Sequence, residues 1–165
     1  MEDFQSVYNL MQRSFPQAEY RNFEDQLALL EREDYHIHTY EKNNSLAAFY
    51  ARYILAELTF IEHIAVDERY RGQGLGSQIM REVIAGTEQR IVLEVEPTAD
   101  SINAARRVRF YEQLGFHLND YSYEQPALRP GSSAVPLQLM SYPRSLDAKN
   151  FSQVKQSIFE HVYGT

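Results

Sequence analysis

The run Arg71-Gly72-Gln73-Gly74-Leu75-Gly76-Ser77 packs three of the chain's seven glycines into five residues. It follows the stretch Ile61–Val66, which is apolar at four of six positions. It leads into Leu75, Ile79, Met80, Val83 and Ile84, which fall on one face of a 3.6-residue helix. A strand, a basic glycine-rich turn and a helix make an anion site. Glycine lets the backbone approach a phosphate closely, and the first-turn N–H groups and helix dipole point at it. The expectation is a phosphorylated ligand.

Bulk properties narrow the options. A chain of 165 residues with 44% hydrophobic and 13% aromatic content can bury one globular core. No apolar run reaches membrane-spanning length, and the polar start Met1-Glu2-Asp3 does not read as a signal peptide. With no cysteine there is no disulfide, thiol nucleophile or cysteine metal site, which suits a cytoplasmic setting. A net charge of −7 argues against general nucleic-acid binding and tilts toward a cationic or amine-bearing partner.

Periodicity supplies the remaining elements. Phe4, Val7, Tyr8 and Met11 predict a helix ended at Ser14-Phe15-Pro16, and Phe23, Leu27 and Leu30 suggest a second. Strands are expected at 35–40 and 46–55 around an Asn43-Asn44 hairpin turn, then at 59–66 and 90–96. A helix over 73–86 follows the glycine run. Asp100 or Ser101 caps a helix that stops at Gly115. Strands at 116–124 and 135–142 flank a turn-rich stretch, and Phe151, Val154, Ile158 and Val162 mark a closing helix. Without repeats or linkers, residues 1–165 read as a single α/β domain with a mixed sheet.

The glycine spacing excludes two common nucleotide motifs. No Lys-Ser or Lys-Thr follows at P-loop spacing, and Gly72-x-Gly74-x-Gly76 lacks the final interval of a dinucleotide fingerprint. A tight packing turn would need glycines but not Arg69 and Arg71. Arg71-Gly72-Gln73-Gly74-Leu75-Gly76 matches the Gln/Arg-x-x-Gly-x-Gly/Ala motif of the GNAT N-acetyltransferase superfamily. His63-Ile64-Ala65-Val66-Asp67 resembles that family's fourth strand. Phe110-Tyr111-Glu112-Gln113-Leu114-Gly115-Phe116 is similar to its helix-to-strand segment. The resemblance covers about residues 1–143 and leaves the helix at about 147–162 as an addition.

The resemblance implies a mixed, mostly antiparallel sheet that splays between the family's fourth and fifth strands, flanked by helices. It also implies acetyl-CoA or another acyl-CoA as donor, without a metal. The N–H groups of Gln73, Gly74, Leu75, Gly76 and Ser77, with Gly72, would cradle the pyrophosphate, and Arg71 would add charge-assisted hydrogen bonds. Backbone groups of Ile64, Ala65 and Val66 would meet the pantetheine, with an N–H near Val66 polarising the thioester carbonyl. The family often has an asparagine seven residues before the helix tyrosine. Here that place is Ala104, and Asn103 stands one residue earlier as an out-of-register candidate. Arg107, with Arg106 and Arg109 on the same helix, is a candidate for the ADP end.

Acyl transfer to an amine requires a proton removed from nitrogen and one given to sulfur. By the resemblance Tyr111 is the acid, although it also belongs to an apolar helix stripe with Ala104 and Val108. Candidate bases are Glu62, read as sharing a strand face with Phe60 and Ile64, then Glu94, with Glu96 or water as further options. His63 is expected to face away from Glu62. His36 and His38 share a face but have no third metal ligand, and Tyr121 and Tyr123 would wall the acceptor cleft. The expected function is direct acetyl transfer in a ternary complex to a small-molecule or peptide amine, with the protein a monomer or homodimer. A non-catalytic acyl-CoA-binding module is the alternative, and another kind of nucleotide binder is the third.

Overall fold

The strands are β1 Tyr35–Lys42, β2 Ser45–Ile54, β3 Leu58–Val66, β4 Arg90–Val95, β5 His117–Gln125 and β6 Val135–Tyr142. They form one sheet in the spatial order β1-β2-β3-β4-β6-β5 in a computed structural model describing residues 3–165. Met1 and Glu2, at the polar start, lie outside the described residues. The helices are α1 Phe4–Ser14, α2 Phe23–Ala28, α3 Leu75–Ala85, α4 Ile102–Gln113 and α5 Ala148–Ile158. This is a mixed α/β fold. Every strand pair is antiparallel except β3–β4.

Side-chain alternation along the strands divides the core into two layers. Phe49, Ala51 and Tyr53 of β2 face one layer, which holds Val7, Leu10 and Met11 of α1 and Phe151, Val154 and Ile158 of α5. Ala48 and Tyr50 face the other, with Leu75, Ile79, Met80 and Val83 of α3 and Val108 and Tyr111 of α4. The apolar stripes of these helices are therefore spent on the two sheet faces. The Asn43-Asn44 turn has both φ values positive, 52° and 61°, as a two-residue hairpin of this twist requires.

The parallel contact between β3 and β4 runs only from Leu58↔Arg90 to Ile61↔Leu93, although β3 continues to Val66. Beyond Ile61 the two strands part. A β-bulge coincides with the parting. Ala51 pairs with His63 and Arg52 with Ile61, so Glu62 is the extra residue on β3. A bulge bends its strand and increases local twist. Pro97, two residues past the end of β4, carries no N–H with which to extend the ladder.

The bulge corrects two expectations. Phe60 packs in the α1/α5 layer whereas Ile64 packs in the α3/α4 layer, so Glu62 does not share one face with both. His63 does not turn away from Glu62: its Nδ1 lies 3.5 Å from Glu62 Oε1. The second helix also differs. α2 stops at Ala28 and continues as a tighter turn, Leu29–Glu31. Leu27 is 40% exposed while Gln26 is fully buried, because Gln26 accepts from the Arg21 N–H and donates to the Tyr35 hydroxyl.

Candidate active site

Four of the five α-helices carry a side-chain N-cap: Asp3, Asn22, Ser101 and Asp147 each accept from an N–H in the first turn. Among the described residues, α3 is the α-helix without one. Its N-cap is Gly74, at φ +80° and ψ 8°. Gly72 is also left-handed, at φ +77°. A side chain would be strained at both positions, yet a Cβ at either would meet nothing within 4 Å. The glycines are thus needed for backbone shape and not for packing. They leave the helix dipole and the first-turn donors of α3 facing open space. The fit to a diphosphate is good on these grounds.

That space is a cleft of about 940 Å³. Ile64, Ala65, Val66, Arg71, Gly72, Gly74, Leu75, Gly76, Ser77, Asn103, Arg107 and Tyr111 all line it. Arg106 lines it too, whereas Gln73 and Arg109 do not. Gln73 instead directs its side-chain amide to the Arg69 carbonyl at 3.4 Å. Arg13 of α1 adds a cation to the wall, tied to Asp67 at 3.1 Å.

The floor of the cleft is the free edge of β3. The Asp67 N–H goes to the Ala47 carbonyl, so by ladder alternation the backbone groups of Ile64 and Val66 face away from β2, toward the gap. Arg71 Nε donates to the Val66 carbonyl at 2.9 Å, which uses one of these groups and fixes the arginine at the cleft mouth.

A smaller pocket, about 40 Å³, occupies the parting of β3 and β4. Glu19, Glu62, His63, Glu94, Glu96 and Arg107 bring its charge, and Phe15, Ile61, Leu93 and Leu137 are among its apolar walls. Tyr111 lines both this pocket and the larger cleft. It is 5% exposed, wedged edge-on against Phe110 and Phe116. Burial pushes its hydroxyl up to about 12, so it stays protonated across the physiological range.

The carboxylates in the pocket differ sharply. Arg21 grips Glu62 with two hydrogen bonds, at 3.0 and 3.1 Å, and both side chains are at least nine-tenths buried. Burial alone would raise the Glu62 carboxyl, but the Arg21 charge, with His63 and the hydrogen bonds, holds it below the usual range. His63, buried with its Nε2 at 2.8 Å from the Glu19 carbonyl, is lowered chiefly by burial, with the Glu62 charge opposing. Among the described residues no cation pairs with Glu94. It accepts from the Tyr123 hydroxyl and the Tyr163 hydroxyl. Burial raises it to about 7, with the charges of Glu62 and Glu19 adding and the two hydroxyls opposing. Glu19 is likewise raised to about 7 by burial and then by Glu96. Glu96 stands 3.9 Å from Arg107.

Three residues were not evident from the sequence: Glu19, which lines the pocket from the α1–α2 segment, and Arg21 and Tyr163, which bind its carboxylates Glu62 and Glu94 from behind. No short motif links them to β3. Residues 17–21 are held over the pocket by β5 and its following loop. Gln125 donates to the Ala18 carbonyl, and Arg129 donates to the Gln17, Tyr20 and Arg21 carbonyls. Tyr121 is elsewhere, stacked on Phe151 with its hydroxyl on the Leu146 carbonyl. His38 stacks on Tyr50, and among the described residues no cluster of three metal-ligating side chains occurs. No helix among them is long and apolar enough to cross a membrane.

A parted parallel pair, an uncapped glycine-led helix and a tyrosine at the junction are the features that a resemblance to the GNAT superfamily implies. The Acetyltransferase (GNAT) family model matches residues 4–116, about two thirds of the chain, and the chain belongs to that family. A solved Bacteroides thetaiotaomicron structure, provisionally assigned as a GNAT acetyltransferase, superposes with TM-score 0.88 at 27% identity, covering 98% of this chain and 92% of that one. The ribosomal-protein-S18-alanine N-acetyltransferase of Escherichia coli gives TM-score 0.64 at 25% identity, over 90% and 92% of the two chains. An Elizabethkingia anophelis GNAT structure with acetyl-CoA bound shares the fold at TM-score 0.58 and 20% identity, over 81% and 88%. YjbC of Bacillus subtilis (strain 168), provisionally named an acetyltransferase, is 25% identical over 106 residues, 63% of this chain. The match covers 55% of YjbC, so the chain spans about half the length of this curated relative.

Proposed function

We propose that the protein is an N-acetyltransferase that moves an acetyl group from acetyl-CoA to an amine by direct attack in a ternary complex. One observation carries this reading. Tyr111 borders both the cleft that begins at the uncapped N-terminus of α3 and the acidic pocket between β3 and β4. Donor and acceptor sites therefore meet at a buried proton donor.

Acetyl-CoA, when bound, supplies an acyl group already activated as a thioester. The N–H groups at the start of α3, together with Arg71, hold the diphosphate. The free edge of β3 at Ile64 and Val66 pairs with the pantetheine, and an N–H there polarises the carbonyl. Asn103 and Arg107 of α4 line the opposite wall. Glu94 accepts the proton that the amine sheds, Tyr111 supplies the one that sulfur needs, and the acyl carbon exchanges its bond to sulfur for a bond to nitrogen.

Glu94 is preferred to Glu62 as base on physical grounds. A carboxylate locked to Arg21 and held below the usual range is a poor proton acceptor. One raised to about 7 is matched to neutral pH. Glu62, Glu19 and Glu96 make the pocket attractive to a protonated amine, and its small volume suits the slender amine end of a small molecule or peptide. The test is calorimetric and chemical. Acetyl-CoA should bind, and thiol should appear when amines are supplied. Binding without release across a broad amine panel would indicate a sensing module instead.

A further inference from the structure

The closing helix is tied to the acidic pocket through Glu94, which lines it. α5 runs into a wide last turn, Phe159–Tyr163, and from there the Tyr163 hydroxyl donates to Glu94, 2.8 and 2.9 Å from its two oxygens. The Tyr123 hydroxyl, on β5, donates to Glu94 Oε2. These hydroxyls make all the hydrogen bonds that the Glu94 carboxylate receives among the described residues. The rings are fixed as well. Phe159 packs against Tyr123 at 5.7 Å and against Tyr163 at 6.2 Å, and Tyr123 meets Phe151 edge-on at 6.4 Å. Packing of that kind needs rings but not hydroxyls. Two hydroxyls converging on one partly buried carboxylate, from elements outside residues 4–116, need another explanation.

Resting on the transfer reading above, we propose that Tyr123 and Tyr163 are positioning residues that hold the Glu94 carboxylate in place for the acceptor amine. The closing helix is then a working part of the acceptor site. The chemistry is that of a partly buried anion to which no cation is paired among the described residues. Donated hydrogen bonds stabilise its charged form and orient its free lone pairs. The groups that share the pocket with it are Glu62, bound to Arg21, and His63 on β3; Glu19 from the α1–α2 segment; Glu96 just past the end of β4; and Tyr111 and Arg107 on α4. None of these donates to it. Loss of either tyrosine hydroxyl should therefore make Glu94 harder to ionise.

The test uses the full chain with Tyr163→Phe, Tyr123→Phe and the double variant. Phenylalanine keeps the packing, and circular dichroism checks the fold. In one arm, ¹³C-carboxyl glutamate spectra follow Glu94, assigned through Glu94→Gln. Each single variant should move its titration upward by about one pH unit, the equivalent of one modest hydrogen bond to a charge. In the other arm, thiol release from acetyl-CoA is followed with spermidine, a lysine amide and an alanyl peptide. The acid limb of kcat/KM should move upward by a similar amount. Activity at pH 7 should fall roughly five-fold and recover at higher pH, with acetyl-CoA affinity unchanged. Tyr121→Phe removes a hydroxyl that binds the Leu146 carbonyl and should leave the limb in place.

A limb that stays put in the folded double variant, or a loss that high pH does not restore, overturns the positioning role alone. Wild-type protein that binds acetyl-CoA but acetylates no amine overturns the transfer reading, and the positioning role with it.

Discussion

Gly74→Ala perturbs the proposed donor cradle at a constrained point. Gly74 is the N-cap of α3 at φ +80°, and a Cβ there meets nothing within 4 Å. No steric clash is expected, so the cost is backbone strain of about 1–2 kcal/mol. For a domain of this size that is a drop in Tm of about 5 °C. The variant should fold. Binding should suffer more. To escape the left-handed region, the loop must rotate peptide planes on one or both sides of position 74, which breaks the convergence of N–H groups on the phosphates. Each lost hydrogen bond to a charged group is worth about 1.5–3 kcal/mol, and tenfold in affinity is about 1.4 kcal/mol. Titration calorimetry should therefore show acetyl-CoA binding weakened at least ten-fold. Acetyl-pantetheine, which carries no phosphate, should bind as it does to the parent protein. An acetyl-CoA affinity within two-fold of the parent, or equal losses for both ligands, would refute the reasoning.

Three further outcomes are expected. Tyr111→Phe should lower kcat by about 10²-fold without weakening acetyl-CoA, the scale of a lost general acid; an unaltered kcat removes Tyr111 from that role. Glu62→Gln leaves the Arg21 charge buried without its partner and should cost about 3–5 kcal/mol, a fall in Tm of about 10 °C by scanning calorimetry; a fall under 2 °C would contradict the buried pair. Stability should also decline as pH rises from about 4.5 to about 7, because Glu94 is raised from 4.5 to about 7 and the folded protein binds more protons than the unfolded chain over that window. The Glu94 share is at most about 3 kcal/mol, so Glu94→Gln should flatten the decline and be more stable than the parent at pH 8; unchanged slopes in thermal melts would contradict it.

The parts legible in the sequence were those governed by local rules. The left-handed conformations of Gly72, Gly74 and Gly115 follow from glycine at turn positions, and the Asn43-Asn44 hairpin from asparagine's tolerance of positive φ. Helix stripes marked the faces that the structure divides between two core layers. Single-residue events were not legible. A bulge at Glu62 reverses the face of every later residue on β3, and nothing in a two-residue period announces it. Gln26, Arg21 and Tyr163 read as ordinary surface or core residues. Their roles arise from partners 9, 41 and 69 positions away in the chain. The ordering of the carboxylates was hidden for the same reason. Glu62 and Glu94 differ in the cation beside them, which only the tertiary structure reveals.

The central claim is that the cleft and the acidic pocket form one site for acetyl transfer. The most direct measurement is thiol release from acetyl-CoA across an amine library, with mass spectrometry of the acceptor. We expect thiol release that depends on the amine, with a product heavier by one acetyl group. Tight acetyl-CoA binding with neither thiol nor acetylated product, or binding of ATP or NAD in preference to CoA, would contradict the claim.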